Sequence, residues 1–273
     1  MPLKGQKIGF LGGGAMGEAL MTGLLRTGLV NPPAICVSDV NSGRLEYLGK
    51  KLGVETHPKN EAVVRKADII VMAVKPDAVA HLMKEIAPLL RPGQTLISIA
   101  AGVTSAFIES FLNSPVPVVR VMPNTPCLVG EGASAVSAGK YAGRENMEKA
   151  LAIFSAAGKA VEVPERLLDC VTGLSGSGPA YMYVILEGLI DGAVRLGLPR
   201  DQARLLAAQT MLGAAKMVLE TGEHPARLKD MVTTPGGTTI AGLFALEEGA
   251  VRALLMKAVE AAAERSRQLS GLI

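Results

Sequence analysis

The sequence predicts an α/β protein, a doubly wound parallel sheet followed by an all-helical C-terminal domain. Three observations carry that reading. Short apolar runs alternate with helical segments as far as about Pro164. A glycine pattern sits where the first strand meets the first helix. Beyond Pro164 nothing reads as a strand, and helical periodicity takes over.

The elements follow in order. Residues 7–12 form a buried strand and 15–27 its helix, and 34–39 is a second strand with a helix over 43–51. Residues 68–74 are a continuous apolar run bounded by turn signals. A central parallel strand reads this way because helices cover both its faces. Helix 77–87, strand 95–99, helix 104–111 and strand 117–122 continue the alternation. Weaker strands near 133–137 and 159–163 flank a further helix. In the second part, 165–172 is a short helix, and Ser177 with Pro179 offers an N-cap and an early proline for a helix ending at Gly197. Leu198 and Pro199 open a helix running to Gly222, and helices at 225–232, 238–247 and 250–269 complete the chain. The domains are thus 1–164 and 165–273.

Composition narrows the functions. At 273 residues the chain can hold two modest domains or one large one, each able to bury its own core. Tryptophan is absent and aromatics are 3%, so the core is aliphatic and base stacking on aromatic side chains is excluded. A net charge of +3, carried by scattered residues, offers no nucleic-acid surface. Cys36, Cys127 and Cys170, like His57, His81 and His224, are too dispersed for a disulfide framework or a metal site, and no metal is expected. The opening Met1-Pro2-Leu3-Lys4-Gly5 carries no secretory pattern, and Glu187, Asp191 and Arg195 interrupt the longest apolar stretch, 180–198. A cytoplasmic protein with no membrane span is expected. That stretch is apolar nearly all round and must be covered on every side. The remaining helices are too few to do so, which calls for a partner subunit. Asp191 is expected to pair with Arg195 one turn on.

Gly12, Gly14 and Gly17 fit G-x-G-x-x-G behind an apolar strand and at the start of a helix. The first glycine makes the tight turn, the second lets a pyrophosphate approach, and the third allows close helix–strand packing. Ala15 and Met16 open the helix whose N-terminus faces the negative charge. Residues 1–164 are therefore a Rossmann-type NAD(P)-binding domain. Asp39, at the end of the second strand, is placed to bond ribose hydroxyls, whereas Ser38, Asn41 and Arg44 could receive a 2′-phosphate. NADPH and NADH both remain open.

A second anion site lies far along the chain, in Thr233-Thr234-Pro235-Gly236-Gly237-Thr238-Thr239. Proline and two glycines bend the backbone into a helix start, and two threonines add hydroxyls beside its unpaired N–H groups.

These motifs occur together with Ala73-Val74-Lys75-Pro76, Ile99-Ala100-Ala101-Gly102-Val103, Val121-Met122-Pro123-Asn124-Thr125-Pro126 and Ser175-Gly176-Ser177-Gly178-Pro179. In this order, and over essentially the whole chain, they resemble the pyrroline-5-carboxylate reductase family. The resemblance implies a helical C-terminal domain of the 6-phosphogluconate-dehydrogenase kind that forms an intertwined homodimer, and a ring of dimers beyond it. It implies hydride transfer from NADPH or NADH to the C=N carbon of 1-pyrroline-5-carboxylate, giving L-proline. Ala73, Val74, Lys75, Pro76, Met122 and Asn124 would line the nicotinamide half of the crevice. Lys75 is either a proton donor or a residue whose backbone and stem shape that crevice. The N–H groups of Gly237, Thr238 and Thr239 would hold the substrate carboxylate, and the Thr239 hydroxyl would contact the ring nitrogen. The active site would then form where the two domains meet. Two other readings remain: a 3-hydroxyacid dehydrogenase using a helical lysine such as Lys216, and a protein that senses NAD(P) without turnover.

Overall fold

The computed structural model describes residues 2–270 and divides into two compact units, one up to Ser177 with the returning segment from Glu260, the other Gly178–Val259. The first unit is built on one eight-stranded sheet. Its strands are β1 Ile8–Leu11, β2 Ile35–Ser38, β3 Glu55–His57, β4 Ile69–Met72, β5 Thr95–Ser98, β6 Val118–Met122, β7 Gly132–Ala138 and β8 Gly158–Glu162, in spatial order 3-2-1-4-5-6-7-8. The helices between them are α1 Ala15–Arg26, α2 Ser42–Leu52, α3 Asn60–Lys66, α4 Val79–Ile86, α5 Ser105–Glu109 and α6 Arg144–Ser155.

Strand periodicity sorts the side chains into two cores. Ile69 and Val71 of β4 join Phe10, Val37, Ile97 and Val119 under α1, α2 and α6. Ile70 and Met72 point the other way and pack with Cys36, Leu96 and Val118 under α3, α4 and α5. All four β4 residues are fully buried, as a strand covered on both faces must be.

Two features depart from the expected sheet. β7 runs antiparallel to β6, with Val121 opposite Val136. The link between them is short and holds only a 3₁₀ turn, Thr125–Val129, whereas a parallel return needs a crossover of about a dozen residues or more. β8 is again parallel, because α6 supplies the crossover from β7. Strand β3 and helix α3 were not expected. β3 reads Glu-Thr-His and pairs only with β2, so this edge strand carries no apolar signal.

The first unit also continues past Pro164. Glu165 takes the backbone N–H of Ser105 at 2.7 Å and lies 3.2 Å from the buried guanidinium of Arg120 in β6. Leu168, at the start of α7 (Leu168–Val171), is fully buried. The Asp169 carboxylate accepts from the Ser266 hydroxyl at 2.6 Å, which fastens the end of α12 (Val251–Ser270). These contacts place the compact boundary at Ser177, although composition changes at Pro164.

Between Thr172 and Gly176 the chain makes a π turn, and Ser177 continues it with its N–H donating to the Thr172 carbonyl at 2.8 Å. Ser177 is therefore already helical and not the extended N-cap expected of it. The second unit holds α8 Gly178–Arg195, α9 Arg200–Thr221, α10 Pro225–Met231, α11 Thr238–Glu248 and the first part of α12. α8 packs on α9, and Asp191 pairs at 2.8 Å with Arg200 at the start of α9 instead of with Arg195. The loop between the two helices brings that arginine back beside Asp191. No strand occurs after Glu162 among the described residues.

Candidate cofactor and substrate sites

The glycine loop sits at the carboxyl end of β1, where the sheet order reverses between β1 and β4. Such a switch point leaves a crevice beyond the strand ends. Gly12 has φ +103°, and a β-carbon there would lie 2.6 Å from the Ala73 carbonyl oxygen. Its N–H donates to the Ser38 carbonyl at 2.8 Å, and the Ala73 N–H donates to the Leu11 carbonyl at 2.8 Å. Gly17 has no room for a side chain either, because a β-carbon would meet the Gly12 carbonyl at 2.6 Å. Gly14 differs: nothing lies within 4 Å of where its β-carbon would be. It caps α1 with no side-chain partner, so the first N–H groups of that helix, from Ala15 and Met16, have no capping acceptor. An open, donor-rich glycine at a helix start fits a pyrophosphate, and the residues present suit a dinucleotide.

Beside the loop, β2 ends in a set of tightly held polar groups. The Asp39 carboxylate takes the N–H of Gly13 at 2.7 Å and of Asn41 at 2.9 Å. Asn41 caps α2 by accepting the Arg44 N–H at 3.1 Å, which sets Arg44 in the first turn of that helix. The Arg44 guanidinium lies over the loop, donating to the carbonyls of Gly13 and Gly14 and to the Glu18 carboxylate. Glu18 also accepts from Lys51 at 2.8 Å and from the Tyr47 hydroxyl at 3.0 Å. Burial alone would push the Glu18 carboxyl up, but hydrogen bonds from Lys51, Arg44 and Tyr47 outweigh it and hold it at about 2.

Ser38 departs from expectation. It is 1% exposed, and its hydroxyl donates to Asn60 Oδ1 at 2.7 Å. Its contribution to the loop is the carbonyl that receives Gly12, because it belongs to a strand whose side chains are all buried. Ala73, Val74 and Pro76 are half-buried past the end of β4, and Lys75 is exposed with no ion-pair partner among the described residues. Met122 closes on Gly176, where a β-carbon would come within 2.7 Å of its Cε. Asn124 is buried, with its amide donating to the Ser175 carbonyl at 3.0 Å and its oxygen accepting from Ala133 at 2.8 Å. It fastens the π turn to the end of β6, a role with no local signal in the chain. Cys127 is buried, and burial raises its thiol above the ordinary value, as suits a packing residue. Among the described residues no three His, Cys, Asp or Glu side chains are grouped to hold a metal ion.

In the second unit, Thr234 to Gly237 form a turn closed by the Gly237 N–H donating to the Thr234 carbonyl at 3.0 Å. Pro235 stands at its second position and Gly236 at its third with φ +67°, the pattern of a type II turn. A β-carbon on Gly237 would run into the Thr234 hydroxyl. Gly237 then caps α11 with no side-chain partner. Because its own N–H is spent in the turn, the unpaired donors are those of Thr238 and Thr239, with Ile240 the next in the first turn. Thr238 is exposed and Thr239 half-buried.

Comparison with known proteins bears on both sites. A family model for pyrroline-5-carboxylate reductase dimerisation matches residues 165–269, and one for coenzyme F420-dependent NADP oxidoreductases matches residues 7–102. The chain is 49% identical to pyrroline-5-carboxylate reductase from Methanosarcina acetivorans, over 98% of this chain and 99% of that one. It is 43% identical to the Arabidopsis thaliana enzyme of the same name, over 99% and 98%. Among solved structures, a pyrroline-5-carboxylate reductase from Coxiella burnetii superposes with a TM-score of 0.93 at 38% identity, covering 97% of this chain and 98% of that one. A Plasmodium falciparum pyrroline carboxylate reductase with NADP bound gives 0.86 at 35% identity over the same shares.

Proposed function

This chain belongs to the pyrroline-5-carboxylate reductase family, and from that premise we propose how its residues carry the reaction. It is an NAD(P)H-dependent oxidoreductase that reduces the C=N carbon of 1-pyrroline-5-carboxylate to give L-proline, and it forms a homodimer. When bound, NAD(P)H supplies the hydride. Gly14, Ala15 and Met16 hold the pyrophosphate with backbone donors over the tight turn that Gly12 makes, Asp39 meets the adenosine ribose, and Ala73 to Pro76 with Met122 shape the nicotinamide end. Ser38 and Asn124 act from beneath, by holding the strand ends in place.

The substrate's carboxylate rests on the start of α11, where the N–H groups of Thr238 and Thr239 and the positive end of the helix converge. The sharp turn at Gly236 and Gly237 keeps bulk away from that approach. The Thr239 hydroxyl accepts a hydrogen bond from the ring nitrogen. That bond orients the imine and holds the nitrogen as its positive charge is lost on reduction. The single observation that carries this assignment is the Pro-Gly-Gly type II turn opening directly into an uncapped helix bearing two threonines.

The domain division we adopt for function is 1–164 and 165–273, because the dimerisation match begins at 165. A ring of dimers and a cytoplasmic location complete the reading. No helix among the described residues is long and apolar enough to cross a membrane, and Cys36, Cys127 and Cys170 are all free.

Thr239→Ala tests the assignment. We expect kcat/KM for the imino acid to fall by about 10–100-fold, the cost of one hydrogen bond to a charged group, with NADPH affinity unchanged. Thr239→Ser should restore most of the loss. Unchanged kinetics in the alanine variant would remove Thr239 from the site.

A further inference from the structure

Two residues near the end of β2 favour opposite cofactors. A carboxylate at the adenosine ribose favours the free 2′-hydroxyl of NADH, and an arginine beside it favours the 2′-phosphate of NADPH. This chain has both, Asp39 and Arg44, with the latter fixed in the first turn of α2 by the Asn41 cap. Which one governs depends on what each is already bonded to.

Asp39 uses one carboxylate oxygen on Gly13 and the other on Asn41. It is therefore locked in place beside the loop. Arg44 is also engaged, with its Nε and Nη2 edge directed to the carbonyls of Gly13 and Gly14 and to the carboxylate of Glu18. Glu18 is no surface partner swinging freely. Its side chain is 16% exposed, it projects from the first helix of the fold, and Lys51 and Tyr47 brace its other oxygen. Arg44 itself is stacked over the Tyr47 ring, 5.0 Å from its centroid. A dianionic phosphate seeking the Arg44 guanidinium must compete with a carboxylate that is already in contact with it.

We propose that Glu18 is a specificity-determining residue that competes with the 2′-phosphate for Arg44 and so lowers the chain's affinity for NADPH relative to NADH. Lys51 and Tyr47 strengthen the effect by holding Glu18 in place. The proposal rests on the glycine loop binding the dinucleotide.

Calorimetric titration of the intact dimer with NADP⁺ and NAD⁺ separates the two ideas. Binding of either cofactor by the wild type supports the loop assignment, and binding of neither overturns that premise. In Glu18→Gln, affinity for NADP⁺ should rise about tenfold while affinity for NAD⁺ stays within about twofold, since only the former carries an anion for the released guanidinium. Adding Arg44→Met to that variant should abolish the gain. If the NADP⁺ to NAD⁺ affinity ratio is unchanged or falls in Glu18→Gln, or if the gain survives without Arg44, the proposal is wrong. Circular dichroism and the unchanged NAD⁺ affinity report that the variants have folded.

Discussion

In the first unit, Ile69 to Met72 are sealed by helices of the same chain. In the second, α8 buries only Gly178, while Val184 and Leu189 are 69% and 54% exposed. The same contrast runs through α9, which buries only Ala203, and through α10 and α11, which bury nothing. Both regions are rich in aliphatics, so hydrophobicity alone does not distinguish them. What differs is the geometry of closure: the sheet with helices on both faces encloses its own apolar surface, and the helices of the second unit leave theirs open. The second unit thus leaves apolar helix for a partner to cover, in keeping with the dimerisation match over residues 165–269.

Changes that charge the exposed face should break this contrast most severely. The double variant Val184→Asp/Leu189→Asp should raise the dimer dissociation constant at least ~10³-fold, because carboxylates would be buried unpaired in an apolar interface. Light scattering on a sizing column reads the result, and a dimer of unaltered strength would mean that α8 lies outside the interface. Truncation in the sealed region should act differently. Ile70→Ala should lower unfolding stability by about 2–5 kcal/mol, measured in urea at fixed protein concentration, without changing the dimer. Leu189→Ala should do the reverse and weaken association first.

A backbone change at the cofactor loop should be smaller again and local. Gly12→Ala forces a side chain into φ +103° and against the Ala73 carbonyl. We expect cofactor affinity to fall by about 30–150-fold, matching ~2–3 kcal/mol of strain, with the oligomer intact. Equal affinity in the variant would show that the loop relaxes freely.

The smallest effect concerns Glu18. Its carboxyl is held at about 2 against an ordinary 4.5. A carboxylate depressed in the folded state stabilises fully above its unfolded value, and that contribution drains as the pH falls through the folded one. The Tm difference between wild type and Glu18→Gln should therefore be constant above about pH 5 and shrink steadily below 4.5. A difference that persists undiminished at pH 3 would mean that packing, not charge, carries it.

Much of this molecule was legible beforehand because its signals are local. Gly12, Gly14 and Gly17 announced the loop, a continuous apolar run announced β4, and Gly222 and Gly249 sit where α9 and α11 end. The Thr-Thr start of α11 was equally readable, since proline and glycine act on their own backbone. Other features carried no such mark. β3 has three residues of polar character, the reversal at β7 depends on a link too short for a crossover, and the spent hydroxyl of Ser38 depends on Asn60 arriving from another element.

By itself the sequence determined the alternation, the two glycine-built helix starts and the excess of apolar helix that demands a partner. Those follow from backbone sterics and periodicity, which act within a few residues. Only the tertiary structure decided that Asn124 braces the π turn, that residues 165–177 close on the sheet through Glu165 and Arg120, and that Glu18 holds Arg44. Each depends on which polar group satisfies which, and a polar group takes the partner that folding brings within reach, however far away it lies in the chain.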